Sequence, residues 1–447
     1  MTPKVDTICA IASAIGQSGI GIIRVSGPLV KSIFKQILQT NLKPRYAYYG
    51  PFYDYEGSVI DKGVAIFFPG PNSYTGEDIV EFQGHGGASV LRKLLETITD
   101  SNVRLAEPGE FTKRAFLNGK MDLIQAEAVQ DLIQSNSEES ALSAVRSLTG
   151  EFSTKINELL SELISLRVFV EATIDFSDEE IDFLESHEVS SKLYALKKSL
   201  KDILNTATQG AILRDGIYVA IAGKPNAGKS SLLNSLTKQS SAIVTEIAGT
   251  TRDVLKETIH VDGMPVHIID TAGLHNSDDV IEQEGIRRAN MEIKNADIIL
   301  LVYDSNDSEF DLTILPDSVK DKPKILVRNK IDLVGLKPSV QKVENVLEIA
   351  ISAKNGEGVD SLQDALSEFA GLNATAEGVF LARKRHINAI EETLVFIRNA
   401  IDQLKQGSSE LVAEDLRQAG LQLSQITGEF SSDDLLGEIF SSFCIGK

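Results

Sequence analysis

The sequence predicts a multidomain protein with α/β and all-α parts. An N-terminal α+β domain is followed by a discontinuous helical domain, into which an α/β domain with a mostly parallel sheet is inserted. Three observations predict this. Up to about Gly119, short apolar alternations are separated by Gly/Pro punctuation; from Lys120 to about Leu213 the apolar period becomes 3.6; from Gly216 to about Gly371 strand-like runs alternate with helical ones. The 3.6 period then resumes, and the boundaries that follow are 1–119, 120–215, 216–371 and 372–447.

At roughly 150 residues per domain, 447 residues suit about three domains with a core each. Hydrophobic residues at 42% and charged residues at 24% exclude wholesale disorder. Lys and Arg number 44 against 64 Asp and Glu, and the net charge of −20 argues against gripping nucleic acid by charge alone. Two cysteines, Cys9 and Cys444, cannot build a disulfide framework, which fits a reducing cytosol. The N-terminus turns polar before a signal-peptide core forms, and no run reaches the roughly 20 apolar residues that span a bilayer. A cytoplasmic protein with no membrane partner is expected.

The elements follow in order. Asp6–Ala12, Gly19–Val25, Val59–Phe68 and Asp78–Phe82 alternate as strands do, and Ser89–Ile98 has helical spacing. Leu142, Val145, Phe152, Ile156, Leu159, Leu163, Leu166 and Val170 step by three, four or seven, which predicts one stripe on a long helix. The acidic stretch Asp175–Asp182 then reads as a loop. Strands are expected at Ile217–Ala222, Pro265–Asp270, Asp297–Tyr303, Lys324–Asn329 and Leu347–Ile351. Ile387, Ile390, Leu394, Ile397, Ile401 and Leu404 mark the returning helix, and the capping residues at Ser432 predict an ordered helix to Phe440.

Chemistry concentrates at the strand ends of the inserted domain. Gly223-Lys-Pro-Asn-Ala-Gly-Lys-Ser230 fits G-x-x-x-x-G-K-[ST] directly after a strand. There backbone N–H groups of Asn226, Ala227, Gly228 and Ser231 can approach phosphate oxygens, Lys229 reaches the β- and γ-phosphates, and the Ser230 hydroxyl ligates Mg²⁺. The next motif strand ends in Asp270, Thr271, Ala272 and Gly273, the place of a magnesium-side carboxylate and a γ-phosphate sensor. Asn329, Lys330 and Asp332 follow a later strand, where a carboxylate accepts from guanine N1 and its exocyclic amine. Ser352, Ala353 and Lys354 close the base pocket. Four motifs in this order resemble a translation-factor-type GTPase domain, a Ras-like fold that binds GTP.

Between the first two motifs, Thr245, Glu246, Ile247, Ala248, Gly249, Thr250 and Thr251 form a threonine-rich switch, with Thr251 placed to complete the magnesium shell. Leu274 stands where Ras-like proteins carry a water-orienting glutamine, and leucine can neither donate nor accept. Asn226 with this switch resembles GTPases that bind K⁺ between the phosphates, in the role of an arginine finger. By that resemblance Asn226, Thr245, Ile247 and Thr250 form a potassium cage, and Glu282 is the catalytic carboxylate acting through a bridging water, with Glu284 as the fallback.

Outside this domain stand Gly19–Gly27, Pro71–Asp78, Glu81–Gly87, Glu107–Asp122 and the terminal Phe443-Cys-Ile-Gly-Lys447. Together, over essentially the whole chain, they resemble the MnmE (TrmE) family of tRNA-modifying GTPases. The resemblance implies an N-terminal domain that dimerises and binds a one-carbon tetrahydrofolate (the 5,10-methylene or 5-formyl form) through Arg24, Glu81, Lys120 and Lys447. It also implies an FAD-dependent MnmG-like partner, in a heterotetramer or larger complex, and tRNA as substrate, modified at C5 of the wobble uridine. Cys444 is either a catalytic nucleophile or a small packing residue. Three alternatives remain open: a ribosome-assembly GTPase acting as an RNA-binding switch, a folate transferase with a regulatory G domain, and a GTP-dependent scaffold.

Overall fold

The computed structural model describes residues 6–14, 16–135, 137–175, 187–239, 256–270, 294–307, 310, 315, 319–371, 379–429 and 433–446. In chain order the elements are β1 (Ile8–Ile11), β2 (Gly21–Ser26), α1 (Val30–Leu38), β3 (Tyr48–Tyr53), β4 (Val59–Phe68), β5 (Ile79–Gly84), α2 (Ala88–Thr99), β6 (Arg104–Leu105) and α3 (Glu110–Leu117). Helices α4 (Leu123–Gln134), α5 (Glu138–Leu148), α6 (Glu151–Asp175) and α7 (His187–Asp215) follow. The α/β part holds β7 (Ile217–Gly223), α8 (Lys229–Gln239), β8 (Lys256–Val261), β9 (Met264–Asp270), β10 (Ile298–Asp304), β11 (Lys324–Asn329), α9 (Ile331–Val334), β12 (Ser339–Val343), β13 (Val346–Ala350) and α10 (Val359–Phe369). It ends with α11 (Lys384–Lys405), α12 (Ser409–Thr427) and α13 (Asp433–Ser441).

The chain divides into two compact units. One comprises Met1–Gln130, Leu148–Leu184 and Gly407–Lys447; the other comprises Asp131–Ser147 and Glu185–Gln406. In the first, the sheet order is β3-β4-β5-β2-β1-β6, antiparallel except for the β1–β6 pair. Ile23, Val25, Phe52, Ala65, Phe67, Val80 and Phe82 line one face and are sealed by Ile33, Phe34 and Ile37 of α1 and Leu91, Leu94 and Ile98 of α2. Strict alternation leaves the other face half-open: Ile22, Arg24, Val64, Ile66, Glu81 and Gln83 are all half-buried. At the β1 end, Phe111 of α3 covers that face, packing with Ile8, Ala10 and Ala106.

In the second unit the order is β12-β13-β11-β10-β7-β9-β8, parallel at the centre, with antiparallel edges at β12–β13 and β8–β9. The central strands are buried on both faces, so they read as unbroken apolar runs such as Ile298–Tyr303. That arrangement turns the carboxyl ends of β7, β9, β10 and β11 towards one edge of the sheet, where α/β sheets bind ligands.

One expectation fails. The stripe from Leu142 to Val170 lies on two helices, because Gly150 adopts φ +90°, which a continuing helix cannot hold. The Gln125 amide donates to the Leu148 carbonyl at 3.1 Å, satisfying one terminal acceptor. Leu142 and Val145 are consequently exposed, and α5 buries Ser140, Ser143, Ala144 and Ser147 instead. Phe152, Ile156, Leu159, Leu163, Leu166 and Val170 do form one buried stripe on α6. Residues 176–182 of the acidic stretch lie outside the described residues.

Within the second unit, α7 and α11 pack closely, and Gly210 of α7 admits the backbone of the segment that enters α11. A Cβ at Gly210 would lie 1.9 Å from the Phe380 carbonyl oxygen. Gly210→Ala is therefore expected to cost about 1–3 kcal/mol and to lower the melting temperature by several degrees in a thermal scan. An unchanged melt would show that the 380–382 segment can give way.

Candidate functional site

The loop after β7 is shaped by residues without room for a side chain. Gly223 has φ +156° and a Cβ there would come within 2.2 Å of the Val302 carbonyl oxygen; Gly228 has φ +94° and would meet Asn329 Nδ2 at 2.2 Å. Asn226 takes φ +65°, a region that asparagine tolerates better than most residues. The loop thus curls over the start of α8, whose first residues are Lys229, Ser230 and Ser231. Lys229 Nζ donates to the carbonyls of Gly223 at 2.9 Å and Lys224 at 3.0 Å, which anchors its stem across the loop. Asn226 and Ser230 are exposed, and Ala227 is buried.

Asn329, at the end of β11, ties this loop to the base-side loops. Its side chain is buried; Nδ2 donates to the Ala227 carbonyl at 3.0 Å, and Oδ1 accepts from the N–H groups of Lys330 at 2.8 Å and Ala353 at 3.0 Å. Lys330 turns the chain at φ +64°, and its Nζ pairs with Asp304 Oδ2 at 2.7 Å. Burial acts to raise the Asp304 pKa but is outweighed by hydrogen bonds from Asn306 and Lys330, which hold it below the usual carboxylate range. Ser352 Oγ donates to Asp332 Oδ1 at 2.7 Å, aligning that carboxylate. Lys354 is exposed beside them. A cleft of about 380 Å³ opens along Ser231, Asn234, Ser235 and Lys238 on one side and 353–356 on the other.

The structure therefore brings together Asn226, Ala227, Gly228, Lys229, Ser230, Ser231, Asn329, Lys330, Asp332, Ser352, Ala353 and Lys354. Asp270 ends β9 beside β7, paired in parallel with Ile221. Thr245, Glu246, Ile247, Ala248, Gly249, Thr250, Thr251, Thr271, Ala272, Gly273 and Glu282 lie outside the described residues, as does Lys447. Among the described residues no group of three or more His, Cys, Asp or Glu forms a metal site. The loop nonetheless fits a Mg²⁺-bound phosphate group, since it frees backbone N–H groups at a helix start and exposes the Ser230 hydroxyl. The sequence reading passed over Asp304 and Ser305, whose hydroxyl donates to the Asn329 carbonyl at 2.7 Å. Both stand at the end of β10, the same strand-end position that marks the other motifs.

On the half-open face of the N-terminal sheet, Arg24 lies opposite Glu81 in the β2–β5 register. Its guanidinium reaches Glu81 Oε1 from Nε at 2.9 Å and Nη2 at 2.8 Å, and stands 5.2 Å from the Tyr74 ring and 5.7 Å from that of Phe111. The loop carrying Tyr74 is pinned: Asn118 Nδ2 donates to the Thr75 carbonyl at 2.7 Å, and Arg114 pairs with Glu77 at 3.2 Å. Lys120 is exposed, and its stem lies against Gly76 of that loop, where a Cβ would be 3.4 Å from its Cδ. The C-terminal tail reaches the same sheet. Gly109 N–H donates to the Cys444 carbonyl at 3.3 Å, Ile445 bridges Pro108, and a Cβ on Gly446 would come within 2.3 Å of the Ile11 carbonyl oxygen. Ile11 pairs with Ile23, the neighbour of Arg24. The Cys444 residue is exposed, whereas burial pushes the Cys9 thiol up to about 12.

A phosphate loop on a parallel sheet, with an asparagine-anchored base loop behind it, is the build of a GTPase. Residues 7–120 match the family description "GTP-binding protein TrmE N-terminus", and residues 123–444 match "MnmE helical domain". Over its whole length and theirs, the chain is 59% identical to the tRNA modification GTPase MnmE of Ruthia magnifica subsp. Calyptogena magnifica. It is 52% identical to that of Hydrogenovibrio crunogenus, over 99% of each chain. The G domain of the T. maritima FeoB iron transporter aligns at 26% identity over 34% of this chain and 98% of that one, with a TM-score of 0.27. The chain belongs to the MnmE (TrmE) family of tRNA modification GTPases.

Removing the Asn329 side chain leaves the Ala227 carbonyl and two N–H groups without partners. Asn329→Ala is expected to cost about 2–3 kcal/mol and to weaken GDP binding at least tenfold by calorimetry. Unchanged affinity would show that the two loops hold their places without it.

Proposed function

We propose that this chain is a potassium-dependent GTP hydrolase that, with an FAD-dependent MnmG-like partner, adds an aminomethyl or carboxymethylaminomethyl group to C5 of the wobble uridine of tRNA. The one-carbon unit comes from tetrahydrofolate, in its 5,10-methylene or 5-formyl form. The observation that carries this is the full-length match to relatives named tRNA modification GTPase MnmE. The division of labour is residues 1–119 for folate and dimerisation, 216–371 for GTP, and 120–215 with 372–447 as the helical domain. Exposed Tyr46, Tyr49, Tyr55 and Val59, on or beside the β3–β4 edge of the N-terminal sheet, support a homodimer through that domain.

In the G domain, Asn226 to Ser231 cradle the phosphates, Ser230 and Thr251 hold Mg²⁺, and Asp270 to Gly273 sense the γ-phosphate. Asp332 reads guanine between the stem of Lys330 and the loop Ser352–Lys354. When bound, K⁺ supplies positive charge in the role of an arginine finger, and Leu274 can neither donate nor accept; Asn226, Thr245, Ile247 and Thr250 hold the ion. Glu282 orients the attacking water. In the N-terminal domain Glu81 accepts from pterin donors, and Lys120 and Lys447 pair with the folate carboxylates. The tail's course past Ile11 supports Cys444 acting beside that site.

GTP turnover in KCl should exceed that in NaCl at equal ionic strength by at least about tenfold. Equal rates would remove the cage and point to a protein activator. Deleting the gene should abolish C5-substituted wobble uridines in bulk tRNA by nucleoside mass spectrometry, with rescue by the wild-type chain and none by Asp270→Ala. An unchanged nucleoside profile would overturn the tRNA function and leave the GTPase alone.

A further inference from the structure

The half-open sheet face carries recognition chemistry beyond the Arg24–Glu81 pair. Both guanidinium contacts land on one oxygen, Glu81 Oε1, at 2.9 and 2.8 Å. Among the described residues, Oε2 keeps one longer hydrogen bond, 3.4 Å from Nε2 of Gln83. That amide has only one sensible orientation, because its own oxygen would otherwise face a carboxylate. Gln83 lies two residues along β5 from Glu81, on the same face, between Ile22 of β2 and Val64 of β4. All four are half-buried. An acceptor and a donor thus stand side by side on an open surface, flanked by apolar side chains.

We infer that Gln83 is the specificity-determining residue for the pterin ring, donating its second amide N–H to the 4-oxo oxygen while Glu81 Oε2 accepts from the adjacent N3–H. The inference rests on the folate reading above. A 2-amino-4-oxo pterin presents donor, donor and acceptor in sequence along one edge, and Glu81 followed by Gln83 is the complement of the last two. A 4-amino pterin would set its donor against the Gln83 donor and its bare N3 against Glu81 Oε2, a double mismatch of the kind that polar sites reject strongly. Arg24 serves this arrangement from behind. Held by the Tyr74 and Phe111 rings, it occupies Oε1 and leaves Oε2 facing the ligand.

The test is a calorimetric titration of the full chain with folic acid and aminopterin, a pair in which a 4-oxo group beside N3–H is replaced by a 4-amino group beside a bare N3, and with 5-formyltetrahydrofolate. Wild type should favour the 4-oxo member at least tenfold. Gln83→Met, similar in length but without the donor, should lose the part of that preference owed to the 4-position, severalfold, and bind 5-formyltetrahydrofolate about tenfold more weakly. Gln83→Glu, of the same shape, should lower the preference below that of Gln83→Met, since its carboxylate accepts from a 4-amino group and repels a 4-oxo oxygen, so that the conclusion does not hang on one variant folding well. A wild-type ratio retained in both variants would overturn the role of Gln83 while leaving folate binding in place. Failure of the wild-type chain to bind 5-formyltetrahydrofolate would overturn the folate reading, and this inference with it.

Discussion

The nucleotide site depends on one buried neutral amide. Asn329 is 2% exposed, and its amide group pairs one acceptor and two donors from three separate loops. In a low-dielectric interior such a hub is strong when every partner is present and costly when one is missing. It also explains the glycine at 228: the amide nitrogen occupies the space a Cβ would fill, so the loop can close only where there is no side chain. Phosphate cradle and base loop are therefore built as one object, and the register of β10, β11 and β13 sets its dimensions.

The N-terminal sheet meets a different constraint. One face is sealed by two amphipathic helices, and the period of two then forces the alternate residues outward. Arg24 and Glu81 are the outward pair at one register position, and a half-buried ion pair of this kind lasts only where its geometry is fixed. The aromatic rings of Tyr74 and Phe111 supply that fixation, and the network of Arg114 with Glu77, Glu110 and Asp6 fixes the elements that carry the rings. Two sequence motifs, Pro71–Asp78 and Glu107–Asp122, thereby acquire a physical purpose as scaffolding.

The nucleotide motifs were legible because each sits at a strand end and each strand is an apolar run. The central strands β7, β9, β10, β11 and β13 all emerge within a residue or two of expectation. The edge strands β8 and β12 did not, because an edge strand carries polar residues such as Lys256, Glu257, Gln341 and Lys342 that read as loop. Strand β3 escapes the same reading because Tyr48-Tyr-Gly-Pro-Phe-Tyr53 has a Gly-Pro pair in its middle, which a sheet admits at an edge strand or a bulge. The break at Gly150 was visible as a glycine, but apolar periodicity carried straight through it. Pairwise facts such as Asp304 with Lys330, or Gln83 beside Glu81, depend on which strands become neighbours, and periodicity within a strand says nothing about that.

The charge of the chain bears on how a polyanion could be handled. Among the described residues, several arginines are paired with carboxylates within the fold. Arg24 holds Glu81, Arg104 and Arg114 share Asp6 and Glu110, Arg214 and Arg383 converge on Asp131, and Arg417 holds Glu414. A guanidinium already paired with a carboxylate releases fewer counterions from a phosphate backbone than an unpaired one, so such residues add less to tRNA affinity. With a net charge of −20, long-range attraction for a polyanion is weak, and positive charge is instead allotted to particular carboxylates within the fold. The allocation is physically economical. A protein that must hold an anionic nucleotide at a defined point does better with local positive charge, placed residue by residue, than with a basic surface that would bind any polyanion.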